Sequence, residues 1–143
     1  MKKIDLHIHT IKSVSDADFN FSLIRLQEYV NVMNLDCIAI TNHNLFDVTQ
    51  FKEITTLLNN IVVFPGIEIN LCGGHLLLIS DTSNLEEFSK RADYVKNKII
   101  LATDSLSYEE FVNIYPDYEK YLLIPHYDKT PSLPFETIKL FGD

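Results

Sequence analysis

The stretch Ile61–Ser80, IVVFPGIEINLCGGHLLLIS, predicts the centre of the fold of this chain. It holds two apolar runs, Ile61–Leu71 and His75–Ser80, separated by Gly73-Gly74. Short apolar runs bounded by glycine are typical of strands, and a Gly-Gly pair between two of them predicts a hairpin. We therefore expect two adjacent strands joined by a tight turn.

Strand and helix patterns alternate on both sides of this hairpin. Further strands are predicted at Lys3–His9, Leu35–Thr41 and Tyr121–Pro125. Apolar spacings of three and four, or capping-box patterns, predict helices at Phe21–Met33, at Asp47–Leu58, and from Ser83–Glu86 and Ser107–Glu110 onward. This rhythm predicts an α/β fold with a mostly parallel sheet, in which functional residues gather at the carboxyl ends of the strands.

Composition limits the classes of function. A chain of 143 residues that is 46% hydrophobic predicts a single domain over residues 1–143. The net charge of −8 gives no general attraction to a nucleic-acid backbone, so an anionic substrate needs metal ions or a few local cations. Two cysteines without a signal-peptide pattern predict a reducing cytoplasm, and no apolar run approaches the roughly 18 residues of a membrane span.

The histidines form the chemical signal. In Asp5-Leu6-His7-Ile8-His9-Thr10, strand alternation predicts that Asp5, His7 and His9 share one face, which makes half a metal site. Read alone, such a His-x-His is as often an exposed pair. The remaining candidates also lie at or near strand ends or on the hairpin, so they are expected to converge on one patch: His43, Glu68, His75 and His126.

Six motifs in order resemble the PHP family, the polymerase and histidinol phosphatase domain. They are Asp5–Thr10, Ser15-Asp16, Thr41–Asn44, Pro65–Glu68, Gly74-His75 and Ile124–His126. The resemblance spans nearly the whole chain. It implies a distorted (β/α) barrel of PHP type with two or three divalent metal ions, Zn, Mn or Fe, at the carboxyl ends of its strands.

The resemblance also assigns the metal ligands. It implies that they are His7, His9, Asp16, His43, Glu68, His75 and His126, with Glu68 bridging two ions. Two of these have simpler alternatives. Asp16 could cap the helix that follows it, and His75 could hydrogen-bond the backbone beside the turn.

Two features depart from the PHP pattern. Asn42 stands where the family often has aspartate, and the last Asp-x-His motif is missing because no histidine follows His126. Fewer strands are readable than a PHP barrel has. We therefore expect a barrel that is incomplete at its C-terminal end. The chain would be the N-terminal part of a longer protein, or a compact domain whose site is completed by other means, such as an additional domain or partner chain.

The expected chemistry is metal-dependent hydrolysis of phosphoesters. Ions a few ångström apart hold phosphate oxygens and lower the pKa of a bound water, so a metal-bound hydroxide at a di- or trinuclear site attacks phosphorus. Asp16 or His75 is a candidate for proton transfer to the leaving group. Lys129 and Lys12 are candidates for stabilising the negative charge that develops during the reaction. Both lysines could equally be solvated surface charges.

Two classes of function remain open. The first is an enzyme, a phosphomonoesterase acting on a phosphorylated small molecule, or a phosphodiesterase or nuclease acting on a nucleic-acid end. The second is a non-catalytic PHP module of a larger multidomain protein that is linked to an ATPase or a polymerase. The nearly complete ligand set favours the enzyme, and the missing last motif favours the module.

Overall fold

Five strands in chain order form the central sheet of the structure, a computed structural model that describes residues 1–142. The strands are β1 (Ile4–Ile8), β2 (Cys37–Ile40), β3 (Val62–Leu71), β4 (Gly74–Ile79) and β5 (Leu122–Pro125). The helices are α1 (Leu23–Met33), α2 (Val48–Leu57), α3 (Leu85–Lys98), α4 (Tyr108–Ile114) and α5 (Phe135–Ile138), with single 3₁₀ turns at Tyr118–Lys120 and Lys139–Phe141. All five strands predicted from the sequence are confirmed, with ends that differ by at most two residues.

The expected distorted (β/α) barrel of PHP type is wrong. β1, β2 and β3 are parallel and are connected through α1 and α2, but β3 pairs with β4, and β4 with β5, in antiparallel fashion. A (β/α) barrel needs parallel strands throughout and pairing between its first and last strands. Here the order β1-β2-β3-β4-β5 leaves β1 and β5 as separate edges of a curled, open sheet.

The direction changes at the turn between β3 and β4. Leu71 pairs with Gly74, so the two turn residues are Cys72 and Gly73, one position earlier than the sequence predicts. Both have positive φ, 48° and 79°, as the favoured two-residue hairpin turns require. Gly74 is needed for another reason, because a Cβ atom there would lie 2.3 Å from the backbone nitrogen of Leu133.

Side-chain caps fix the starts of the helices. Asp47 accepts a hydrogen bond from the backbone N–H of Gln50 at 2.8 Å, and Ser107 forms a complete capping box with Glu110, both as predicted. The expected cap of α3 at Ser83 is wrong by one residue. Asn84 caps α3, since its side chain accepts from the N–H of Glu87, while Ser83 donates to Asp81.

The hydrophobic core lies between one face of the sheet and the helices. Alternate residues of β3 enter it, among them the fully buried Ile67 and Ile69, where they join residues of α1 to α4 such as Phe88 of α3. Strand alternation therefore turns Glu68 to the opposite face. Within residues 1–142, no helix is both long and apolar enough to cross a membrane.

A register shift in β1 corrects the expected face of Asp5. Asp5 pairs with Ile38 and Ile8 pairs with Ile40, so β1 holds one extra residue between these pairs. Such a bulge interrupts the alternation of side chains. As a result the Asp5 carboxylate accepts a hydrogen bond from the Tyr29 hydroxyl of α1 at 2.7 Å, and does not share a face with His7 and His9.

Removing the Ile67 side chain tests the central position of β3. Ile67 is fully buried, so we expect Ile67→Ala to lower the free energy of unfolding by about 2–5 kcal/mol. Ile24→Ala on α1 is the control, because Ile24 is 68% exposed and its truncation should change stability by less than about 0.5 kcal/mol. Urea denaturation compares the two, and equal losses would contradict this packing.

Candidate metal centre

The carboxylate of Glu68 lies at the centre of the site. The side chain is almost completely buried, and all five histidines of the chain approach it. Its Oε2 atom lies 2.7 Å from His9 Nε2, 2.8 Å from His7 Nε2 and 3.4 Å from His43 Nε2. Its Oε1 atom lies 2.9 Å from His75 Nδ1 and 3.3 Å from His126 Nδ1. The predicted convergence of these six residues is confirmed.

Backbone pairing brings four of these residues to one end of the sheet. His43 follows β2 and continues its parallel pairing with Glu68, through hydrogen bonds of 2.8 and 3.0 Å made by Asn44 and Asn42. His75 pairs with Asn70, two residues beyond Glu68 on β3, so it lies diagonally across from the carboxylate. The N–H of His126 donates to the carbonyl of His75 at 2.9 Å, which places His126 beside it.

Asp16 reaches the site from the loop between β1 and α1. Its Oδ1 lies 3.0 Å from His9 Nδ1 and 3.8 Å from His43 Nε2. Its Oδ2 accepts hydrogen bonds from the N–H and the hydroxyl of Ser13 at 2.8 and 2.7 Å. Asp16 does not cap α1, because Ser22 does so. Its position suits both a ligand and a group that orients the His9 ring.

Buried and half-buried side chains form three groups that could hold a metal ion. Within each group the ligand atoms all lie within 4.8 Å of one another. The groups are His7–Glu68–His126, His9–Asp16–His43 and His43–Glu68–His75. Every ligand implied by the resemblance belongs to at least one group, and Glu68 and His43 each belong to two.

The chemistry of the donor atoms fits a metal ion. Three imidazole Nε2 atoms, those of His7, His9 and His43, converge on a single oxygen of Glu68, and those of His7 and His9 lie only 3.1 Å apart. The Oε2 atom of Glu68 cannot accept well-formed hydrogen bonds from all three Nε2 atoms at once. The Nδ1 atom of His43 is buried without a partner among the described residues. Crowded nitrogen and carboxylate donors of this kind match the ligands of Zn²⁺, Mn²⁺ and Fe²⁺.

The site shifts the pKa values of its own residues in opposite directions. Burial disfavours the charge of Glu68, but hydrogen bonds from the histidines outweigh it and lower the pKa of this carboxyl. Burial also opposes the charge of His9, yet the Glu68 carboxylate raises its pKa. Burial dominates at His43 and lowers its pKa to about 4. The centre therefore combines an ionised Glu68 with a neutral His43.

Amide side chains brace the loops around the centre. Asn42 Oδ1 accepts from the backbone N–H groups of Thr10 and Ile11 at 2.6 and 2.9 Å, which ties the loop after β1 to the end of β2. Asn44 Oδ1 accepts from the N–H of Asn70 at 2.8 Å. From the sequence alone, Asn42 is recognisable only as a departure from the PHP pattern, and Asn70 is missed. The only sequence signal for Asn70 is its two-residue spacing from Glu68, which places both on one face.

The two candidate lysines lie at the margin of the site. Lys129 is exposed in the segment after His126 and belongs to none of the metal-binding groups. Burial lowers the pKa of His126, and the charge of Lys129 contributes to the same shift. Lys12 forms an ion pair with Asp18.

Comparisons with known proteins assign no family. No protein family model and no curated protein matches the sequence. The resemblance to the PHP family therefore stays a prediction from six motifs.

Loss of the central charge tests the metal centre. Glu68→Gln keeps the size of the side chain but removes the anion shared by two groups, so we expect at least about tenfold weaker binding of Zn²⁺ or Mn²⁺. Elemental analysis measures the metal content of each variant, and calorimetry measures its affinity for the metal ion. Glu53→Gln on α2 is the matched control, since Glu53 is exposed. Equal metal content in both variants would refute a centre built on Glu68.

The raised pKa of His9 predicts proton release on metal binding. A protonated imidazole cannot bind a metal ion, so affinity for Zn²⁺ should fall as the pH decreases from about 8 to 6. Calorimetry in two buffers gives the protons released per ion, and His9→Gln should release fewer. His43→Gln should release as many as the wild type, because a pKa of about 4 keeps His43 neutral in this range. Affinity that does not change with pH would contradict the assignment.

Proposed function

We propose that this chain is a metal-dependent phosphoesterase that binds two or three divalent ions, Zn, Mn or Fe. The observation that carries the proposal is the position of Glu68, whose two oxygens face different histidines. Oε2 faces His7 and His9, and Oε1 faces His75 and His126. A carboxylate shared in this way holds neighbouring ions close together, which is the arrangement used to clamp a phosphoryl group.

Divalent ions bound here would hold the phosphate oxygens and activate a water for attack at phosphorus. The chain's own residues would hold and orient the ligands. Glu68 stays ionised because its pKa is lowered, and it supplies negative charge between the imidazoles. Asp16, through its contact with His9 Nδ1, leaves the Nε2 atom of that ring directed at the centre.

Proton transfer to the leaving group is assigned to His75, whose side chain is 20% exposed and so can reach that group. Burial opposes the charge of Asp16, but hydrogen bonds from Ser13 outweigh it and lower its pKa. A carboxylate with a lowered pKa is a weak base and stays ionised at neutral pH, so Asp16 serves to orient the His9 ring. Lys129, exposed in the segment after His126, would offset charge on the departing group.

Turnover of two chromogenic esters tests the proposal. With added Mn²⁺, we expect hydrolysis of p-nitrophenyl phosphate, bis(p-nitrophenyl) phosphate or both, and the preferred ester separates phosphomonoesterase from phosphodiesterase. His9→Ala should lower kcat/KM by at least about a hundredfold, because it removes a ligand and the partner of Asp16. Lys52→Ala, on the exposed side of α2, is the control.

The outcomes separate the two classes of function. Metal bound without turnover of either ester would contradict the enzyme and favour a non-catalytic module. Turnover that His9→Ala leaves unchanged would refute this site as its source.

A further inference from the structure

A cleft of about 970 Å³ opens directly beside the metal centre. Its lining includes Asp16 and His43, which belong to one of the three metal-binding groups. The loop Ile11–Val14 after β1 and the end of α3, with the residues that follow it, also line the cleft. Ligand pockets of about 300–1,000 Å³ hold whole small molecules, so this cleft has room for the leaving group of a substrate as well as its phosphate.

The lining of the cleft includes a positive charge without a carboxylate partner among the described residues. Lys96, in the last turn of α3, lines the cleft and has no carboxylate within salt-bridge distance among residues 1–142. The other lysines nearby are neutralised, since Lys98 pairs with Glu110 at 2.9 Å and Lys12, which also lines the cleft, pairs with Asp18. In a chain of net charge −8, such a cation in the same cleft as the metal-binding residues attracts an anionic group locally.

Apolar side chains line the same cleft. Val14 is 55% exposed, Ile100 is 65% exposed, and Leu45 also contributes to the lining. Exposed aliphatic groups in a cleft are suited to cover a carbon skeleton. The cleft thus combines residues of the metal centre, apolar side chains and a cation.

We propose that this cleft binds substrates with two anionic ends, and that Lys96 is the residue that recognises the second end. The inference rests on the proposed function, because the first end is the scissile phosphate held at Asp16 and His43 by bound metal. The substrate class is a phosphoester whose leaving group carries a further phosphate or carboxylate on a short carbon skeleton.

Lys96 also suits the negative end of the α3 dipole, which by itself would explain a lysine there. The two explanations make different predictions. A helix-end charge affects stability alone, and Lys98 in the same turn shares that effect while pointing to Glu110. A recognition residue changes the affinity for one end of a ligand.

Binding of phosphonates tests the inference without turnover. The metal-loaded protein is titrated calorimetrically with propylphosphonate, 3-phosphonopropionate and propane-1,3-bisphosphonate, none of which can be hydrolysed. We expect 3-phosphonopropionate and propane-1,3-bisphosphonate, which have an anionic group at each end, to bind about three- to tenfold more tightly than propylphosphonate. One partly solvated charge pair accounts for a gain of this size. Whichever of these two ligands binds more tightly shows whether the second anionic group of the substrate is a phosphate or a carboxylate.

Variants of the last turn of α3 decide the role of Lys96. Lys96→Met should abolish the preference for the second anionic end and leave propylphosphonate binding unchanged, and Lys96→Arg should retain the preference. Lys98→Met should change neither the preference for a second anionic end nor the affinity for propylphosphonate. Absence of the preference in the wild type, or its persistence in Lys96→Met, would overturn the inference. Hydrolysis of p-nitrophenyl phosphate, measured in parallel, reports on the proposed function independently, since that ester has no second anionic end.

Discussion

The buried charge of Glu68 explains why the neighbouring strands meet at one edge of the sheet. An ionised carboxylate at 1% exposure is strongly destabilising unless it is surrounded by donors or cations. Five imidazoles meet this requirement, and they come from the end of β1, the segment after β2, the start of β4 and the residue after β5. Each neighbouring strand must therefore end or begin at the level of Glu68.

The mixed direction of the sheet is compatible with a single site. The parallel strands β1 and β2 deliver His7, His9 and His43 from their carboxyl ends. The antiparallel β4 delivers His75 from its amino end, because the turn at Cys72-Gly73 lies at the same edge as the end of β3. β5 runs opposite to β4 and again ends at this edge, where His126 follows it. Convergence of this kind needs no closed barrel.

The acidic chain places charges of both signs at the site. The carboxylates of Glu68 and Asp16 lie among the histidines, and Lys96 lines the adjoining cleft. Bound cations would make the centre positive, so that both it and Lys96 would attract anions. The proposed phosphorylated substrate would in this way be compatible with a net charge of −8.

Local sequence patterns are enough to predict the strands, the main helices and the set of donor residues. Periodicity and caps such as Asp47 and Ser107 act within a few residues, so they are readable locally. Imidazoles at strand ends could likewise be expected to meet at one edge. Four features emerge only from the folded chain: the open sheet, the bulge that turns Asp5 toward Tyr29, the contact of Asp16 with His9, and the presence of Lys96 and Lys12 in one cleft. These features depend on strand direction, register and the packing of distant segments, which no local pattern encodes.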